Sequence, residues 1–151
     1  MRRLGRELGV EAMSIYHHIP NKSALERILV ERLLAGNSEV ASAASPDDML
    51  DAYCRGLRSS MLSRPNLVPL AATRLPRSLF EAPSSAAVRD RLVTFGFDQG
   101  AASWIFDAFL GFVVGHVLVE VTDGQASDDY DAAFETGLRF LLAGLREELG
   151  M

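Results

Sequence analysis

The chain has 151 residues, with 15 Lys+Arg against 20 Asp+Glu and a formal net charge of −5. That length suits one compact domain, with a small appendage at most. Hydrophobic residues at 48% and charged residues at 23% exclude general disorder. A single cysteine, Cys54, excludes an intrachain disulfide scaffold and any CxxC metal site. The charge balance excludes a uniformly basic nucleic-acid binder but leaves room for a local basic patch.

The N-terminal stretch MRRLGRELGV lacks the apolar core of a signal peptide. Leu4 and Leu8 share a helical face, and Gly9 offers a stop. The segment from Ala12 to His18 has Ile15 and then Ile19 on one face. Asn21 is a good N-cap for the next helix, whose stripe is Leu25, Ile28, Leu29 and Leu33 and whose end is expected near Gly36-Asn37. A small-residue linker, Ser38 to Ser45, follows. Pro46, behind Ser45, suits a first turn, and Asp47 and Asp48 favour the positive helix end. Leu50, Tyr53, Leu57 and Met61 form the stripe of a helix that Pro65 stops.

Residues 66–74 read as a short helix, with Pro76 and Pro83 bracketing a loop. Val88, Leu92 and Phe95 face inward on a helix opened by Ser84 or Ser85. Gly96-Phe97-Asp98 reads as stop, hydrophobic contact and N-cap. The stretch from Ala101 to Val121 is the most hydrophobic, but Asp107, His116 and Glu120 interrupt it. Its longest run free of Asp, Glu, Lys and Arg, Ala108 to Val119, is 12 residues, which fits a buried helix better than a membrane span. Asp123-Gly124-Gln125 ends it. The last helix is expected from Asp128 to Leu149, with Phe134, Leu138, Leu141, Leu142 and Leu145 on its apolar side. The pattern is all-α, about eight helices, with no repeat. A cytoplasmic protein that does not enter the membrane is expected.

Two short helices joined by a Gly-containing turn, with a third close behind, are the pattern of a helix-turn-helix. Leu4, Leu8, Val10, Ile15 and Ile19 are expected to form its small core. The second helix opens with Glu11-Ala12-Met13-Ser14, small or polar enough to enter a major groove. Asn21 and Lys22, at the start of the third helix, suit a phosphate. Residues 1–37 carry six Lys/Arg and four Glu, so 6 − 4 = +2, and the remainder carries −5 − 2 = −7. A basic end on an acidic body would orient the protein on DNA. The residues alone reach a generic helix-turn-helix and no further.

The run from Arg2 to Leu25, RRLGRELGVEAMSIYHHIPNKSAL, closely resembles the DNA-binding motif of tetracycline-repressor-type (TetR family) transcriptional regulators. Its most specific parts are the Leu-Gly-Val turn, the Tyr-x-His and the Asn-Lys-x-Ala-Leu. The resemblance implies a helix-turn-helix DNA-binding region over 1–37 and a helical ligand-binding and dimerisation domain over 46–151. It places Arg2 at a base-reading position. Ala12, Met13, Ser14, Tyr16 and His17 fall where the recognition helix meets base edges and nearby phosphates, and His18 and Lys22 at backbone contacts. The packing alternative stays open for Tyr16, as does simple exposure for His17 and His18. The family has one further helix before this motif, so the resemblance also implies that the DNA-binding region is incomplete here and part of its core uncovered.

The resemblance continues through Gly96-Phe97-Asp98 and Ala133-Phe134-Glu135-Thr136-Gly137-Leu138 to Gly144-Leu145. It implies a homodimer formed by the last two long helices. The expected interface is Ala108, Gly111, Gly115, Gly137, Leu138, Leu141, Gly144 and Leu145, the small residues permitting close helix approach. For the glycines, a close contact within one subunit is the alternative. A pocket for a small-molecule effector is implied beside Ala102, Ile105, Phe109, Phe112 and His116, with Arg74 near it. His116 either orients a ligand or is a hydrogen-bonded core histidine. Residues 66–74, NLVPLAATR, lack the histidine with which tetracycline repressors hold the drug's magnesium, so no tetracycline–magnesium chelate, metal or cofactor is expected.

The expected function is a repressor released from a palindromic double-stranded DNA operator by that effector. The alternative is a truncated, non-DNA-binding helical sensor or dimerisation protein. An enzyme is not expected: there is no GxSxG, HExxH or P-loop.

Overall fold

The computed structural model describes residues 2–34, 42–78, 83–124 and 128–148. Among these, the chain is all-α. The helices are α1 (Arg2–Leu8), α2 (Ala12–His18), α3 (Lys22–Leu34), α4 (Pro46–Leu62), α5 (Val68–Ser78), α6 (Pro83–Thr94), α7 (Gln99–Asp123) and α8 (Asp128–Glu148), with a 3₁₀ turn at Pro65–Leu67. The expected end of the third helix at Gly36-Asn37 and most of the linker lie outside the described residues.

The helix boundaries follow local chemistry. Gly9 takes φ +67°, and the amides of Gly9 and Val10 donate to the carbonyls of Arg6 and Gly5, closing α1 with a left-handed turn that glycine adopts without strain. Gly96, at φ +109°, ends α6 in the same way, with Phe97 N–H donating to Leu92. Among the described residues, side chains cap three helix starts. Asn21 Oδ1 accepts from Ala24 N–H at 2.8 Å, Ser45 Oγ from Asp48 N–H at 3.1 Å, and Asp98 Oδ1 from Ala101 N–H at 2.9 Å. Each satisfies an amide that a helix start leaves without a partner.

Two boundaries differ from expectation. Pro76 does not stop α5, which continues to Ser78, and Pro83 opens α6 rather than closing a loop before it. Proline fits a first turn because its missing N–H would have had no partner there. Near a helix end it removes one hydrogen bond, which α5 forgoes.

At the centre stands α7, packed against α4, α5, α6 and α8. By length and composition it is the one described helix that could cross a membrane, with a mean hydropathy of 1.8 over its most apolar window. In this fold its inward side, Ala102, Phe106, Phe109, Leu110, Val113, Val114 and Val117, is the middle of the core. The expected stripes of α4 and α6 join it: Leu50, Tyr53, Leu57, Met61, Val88 and Leu92 are all buried. So do Val30 and Leu33 from α3. Thus α3 follows α2 in the chain and packs into the body through these two residues.

Candidate nucleic-acid interface

The short helix α2 has a buried and an open side. Ile15 is its buried residue, 8% exposed, and Ile19 is half-buried beyond its end. On the open side, Met13 is 75% exposed and Tyr16 45%, and Ser14, His17 and His18 are exposed as well. The five residues therefore form one outward surface, and Tyr16 is not a core residue. The side chains of Ala12 and Arg2 lie outside the described residues. Exposed Arg3 and Arg6 on α1 add positive charge that the motif reading did not single out.

Lys22, in the first turn of α3, projects its ammonium into solvent. Its partner is Glu26, Nζ to Oε1 at 3.3 Å. The Lys22 side chain is itself 83% exposed, so a phosphate can approach the ammonium from solvent. The expected small core is only partly realised. Leu4 and Ile19 are half-buried and Ile15 buried, but Leu8 is 62% exposed and Val10 45%. The reason is geometric: the Gly9 turn carries both residues to the outer edge of the α1–α2 pair, where no described side chain covers them.

In the body, Ala102 and Phe109 are buried, and Ile105, Phe112 and His116 half-buried. The side chain of Arg74 lies outside the described residues. His116 Nε2 is 3.0 Å from the backbone oxygen of Tyr130. A carbonyl only accepts, so the proton sits on Nε2. The ring also packs against Phe112, Tyr130 and Phe134. These contacts are those of a hydrogen-bonded core histidine. A cleft of about 290 Å³ lies between α4 and α8, lined by Arg55, Arg58, Ser59, Leu62, Phe134 and Glu135. Another of about 450 Å³ lies along the end of α7, lined by Leu118, Val119, Thr122, Asp123 and Tyr130.

Beside His116 is a charged cluster that sequence reasoning missed. Arg58 of α4 reaches Glu120 of α7 at 3.0 Å and Asp131 of α8 at 2.6 Å, and its guanidinium lies over the Phe134 ring. Burial alone would lower the Arg58 pKa, yet its bonds to Asp131 and Glu120 hold it above the ordinary value. The available signal was the spacing of His116 and Glu120, one helical turn apart; Arg58 is far off in sequence.

The expected interface residues divide. Ala108, Gly111, Gly115 and Gly144 are exposed, and nothing lies within 4 Å of a β-carbon placed on any of the three glycines. Leu138 and Leu145 belong instead to the subunit's own core, and Leu141 packs against it, half-buried. These leucines line the inward side of α8, so they stand behind its open face rather than on it. Gly137 makes its close approach within the chain, to Phe112. Three large apolar residues not foreseen, Trp104 and Val119 on α7 and Phe140 on α8, are exposed. They extend the small-residue stripes along both helices.

A helix-turn-helix pair joined to an all-helical body is the arrangement of a DNA-binding transcriptional regulator. The chain belongs to the TetR family of DNA-binding transcriptional regulators. It is 30% identical to a variant TetR from Acinetobacter baumannii AYE solved in complex with minocycline, covering 98% of this chain and 84% of that one with a TM-score of 0.76. The tetracycline repressor protein class C of Escherichia coli is 25% identical over 177 residues, spanning 97% of this chain and 80% of that protein. The fold is shared with a possible TetR family regulator from Streptomyces coelicolor at 23% identity and a TM-score of 0.76, over 97% of this chain and 88% of that one. No protein-family model matches the chain.

Proposed function

We propose that the chain is a homodimeric repressor that binds a palindromic DNA operator and is released by a small-molecule effector. The observation that carries this reading is the outward surface of α2. Met13, Ser14, Tyr16, His17 and His18 are presented together while Ile15 holds the helix down. A major groove admits such a helix. Met13 offers an apolar group for a thymine methyl, and Ser14 a hydroxyl that bonds several bases. Lys22 and His18, with Arg2 before the recognition helix and Ala12 at its start, complete the contacts the family pattern implies.

Pairing is supported by the open apolar stripes of α7 and α8, through Ala108, Gly111, Gly115 and Gly144. Trp104, Val119 and Phe140, exposed on the same two helices, add the large apolar side chains an association site uses. The effector is read against the inward side of α7, near Ala102, Ile105, Phe109, Phe112 and His116, with Arg74 beside it. Because 66–74 contains no histidine, it is an effector other than a tetracycline–magnesium chelate. Release is a two-state change that alters the spacing of the two recognition helices. The protein is cytoplasmic and performs no catalysis.

One observation favours a second reading, a sensor or dimerisation protein that does not bind DNA: Leu8 and Val10 are left open on the helix-turn-helix. Selection of duplexes from a random library by the purified chain separates the two. Enrichment of a palindrome supports the repressor. Tyr16→Ala and Lys22→Ala should then each weaken binding, the latter with a log–log salt slope smaller by about 1. No enrichment at low salt favours the second reading.

A further inference from the structure

One end of α3 carries Lys22, exposed beside α2, and the other carries Leu33, buried in the body with Val30. Only residues 19–21 separate α2 from α3, so the way α3 is held in the body bears on where α2 points. Apolar packing at Val30 and Leu33 resists separation but is non-directional. A hydrogen bond is directional, and such a bond joins α3 to the body. The Leu33 carbonyl accepts from Ser60 Oγ of α4 at 2.8 Å.

The direction of that bond is dictated. Arg64 Nη1 lies 3.3 Å from Ser60 Oγ, and a guanidinium only donates. Ser60 Oγ therefore accepts from Arg64, and its single proton goes to Leu33. Ser63 Oγ donates to the Ser60 carbonyl at 2.7 Å, bracing the same turn.

The structure assigns Ser60 a positioning role: by bonding the Leu33 carbonyl across the helix pair, its hydroxyl fixes the angle at which α3 carries α2 away from the body. The geometry stands on the contacts alone; its consequence for regulation rests on reading α2 as the DNA-contacting helix.

The test compares Ser60→Ala and Ser60→Val, which lack the hydroxyl, with Ser60→Thr, which keeps it. Spin labels on Ser14→Cys and Arg139→Cys, in chain diluted with unlabelled chain, report the α2-to-α8 distance by pulsed electron paramagnetic resonance. Cys54 escapes labelling because it is buried and burial pushes its thiol pKa up. The hydroxyl-free variants should shift or broaden the distance distribution, and Ser60→Thr should retain the parent one. On library-selected duplexes, the same variants should lose roughly tenfold in affinity for two half-sites, about 1.4 kcal/mol, and nothing for one half-site. General destabilisation would lower both. An unchanged distribution in Ser60→Val, or equal losses in Ser60→Val and Ser60→Thr, overturns the role. A shifted distribution in a chain that selects no DNA upholds Ser60 and overturns the DNA-binding assignment of α2.

Discussion

Gly137 of α8 lies directly against the Phe112 ring of α7: a β-carbon at Gly137 would stand 2.4 Å from Phe112 Cε2 and 2.7 Å from Cζ. The ring has little room to yield, because it is stacked on Phe134 at a centroid distance of 5.4 Å and flanked by His116. Gly137→Ala should therefore destabilise the subunit. Overpacking costs about 1–3 kcal/mol, and the better helix propensity of alanine offsets about 1 kcal/mol of it. Thermal or urea melting checks this; a variant more stable than the parent by about 1 kcal/mol, the propensity gain alone, would mean that the two helices are not clamped at this point.

Gly111, Gly115 and Gly144 should behave in the opposite way. With open space at each, alanine raises helix propensity without a clash, by up to about 1 kcal/mol per site. If these faces pair between subunits, the added methyl groups hold the helices apart. Gly111→Ala/Gly144→Ala should thus melt no lower as a dilute monomer yet dimerise more weakly. Sedimentation equilibrium alongside melting reads both effects, and undiminished dimerisation would place the interface elsewhere.

The Arg58–Glu120 pair ties α4 to α7 at a site where both side chains are mostly buried. Removing one partner leaves the other charge poorly solvated. Arg58→Met should cost about 3 kcal/mol, the lower end for a broken buried pair. Adding Glu120→Gln should recover part of that loss, because the charge left behind is removed. A double variant whose loss equals the sum of the singles would show that the two groups are not coupled.

A pH effect is expected on α8. The Arg55 guanidinium beside Glu135 holds its carboxyl below the ordinary value, Nη2 donating to Oε2 at 2.9 Å. A depressed carboxylate contributes stability that is present above its unfolded pKa, about 4.3, and is lost as pH falls through the lower folded value. The stability advantage of the parent over Glu135→Gln should be small, since the pair is exposed. It should be constant above about pH 5 and fall away as the pH drops below the unfolded value toward the lower folded one. Denaturant melts across that range measure it; an advantage that grows on acidification would contradict the pairing.

Short-range patterns carried most of the fold. The Gly9 and Gly96 stops, the Asn21 and Asp98 caps, and the buried stripe of α4 follow from residues within a few positions of one another. The outward surface of α2 was legible for the same reason, since Ile15 marks the inner side of so short a helix. Less legible was what covers each apolar face. On α8, Leu138 and Leu145 serve the subunit core, whereas Gly144 and Phe140 on the adjoining face are open; periodicity gives the faces but not their neighbours. The Arg58 cluster was hidden because its members come from three helices. Gly137 was recognised as a point of close approach, but its partner ring lies on another helix of the same chain.

Trp104 is the chain's single tryptophan and stands on the open face of α7, 75% exposed. The molecule thereby contains its own optical gauge of self-association. Diluted subunits should emit at the long wavelengths of a hydrated indole, and coverage of that face would move the emission to the blue, with no dye attached.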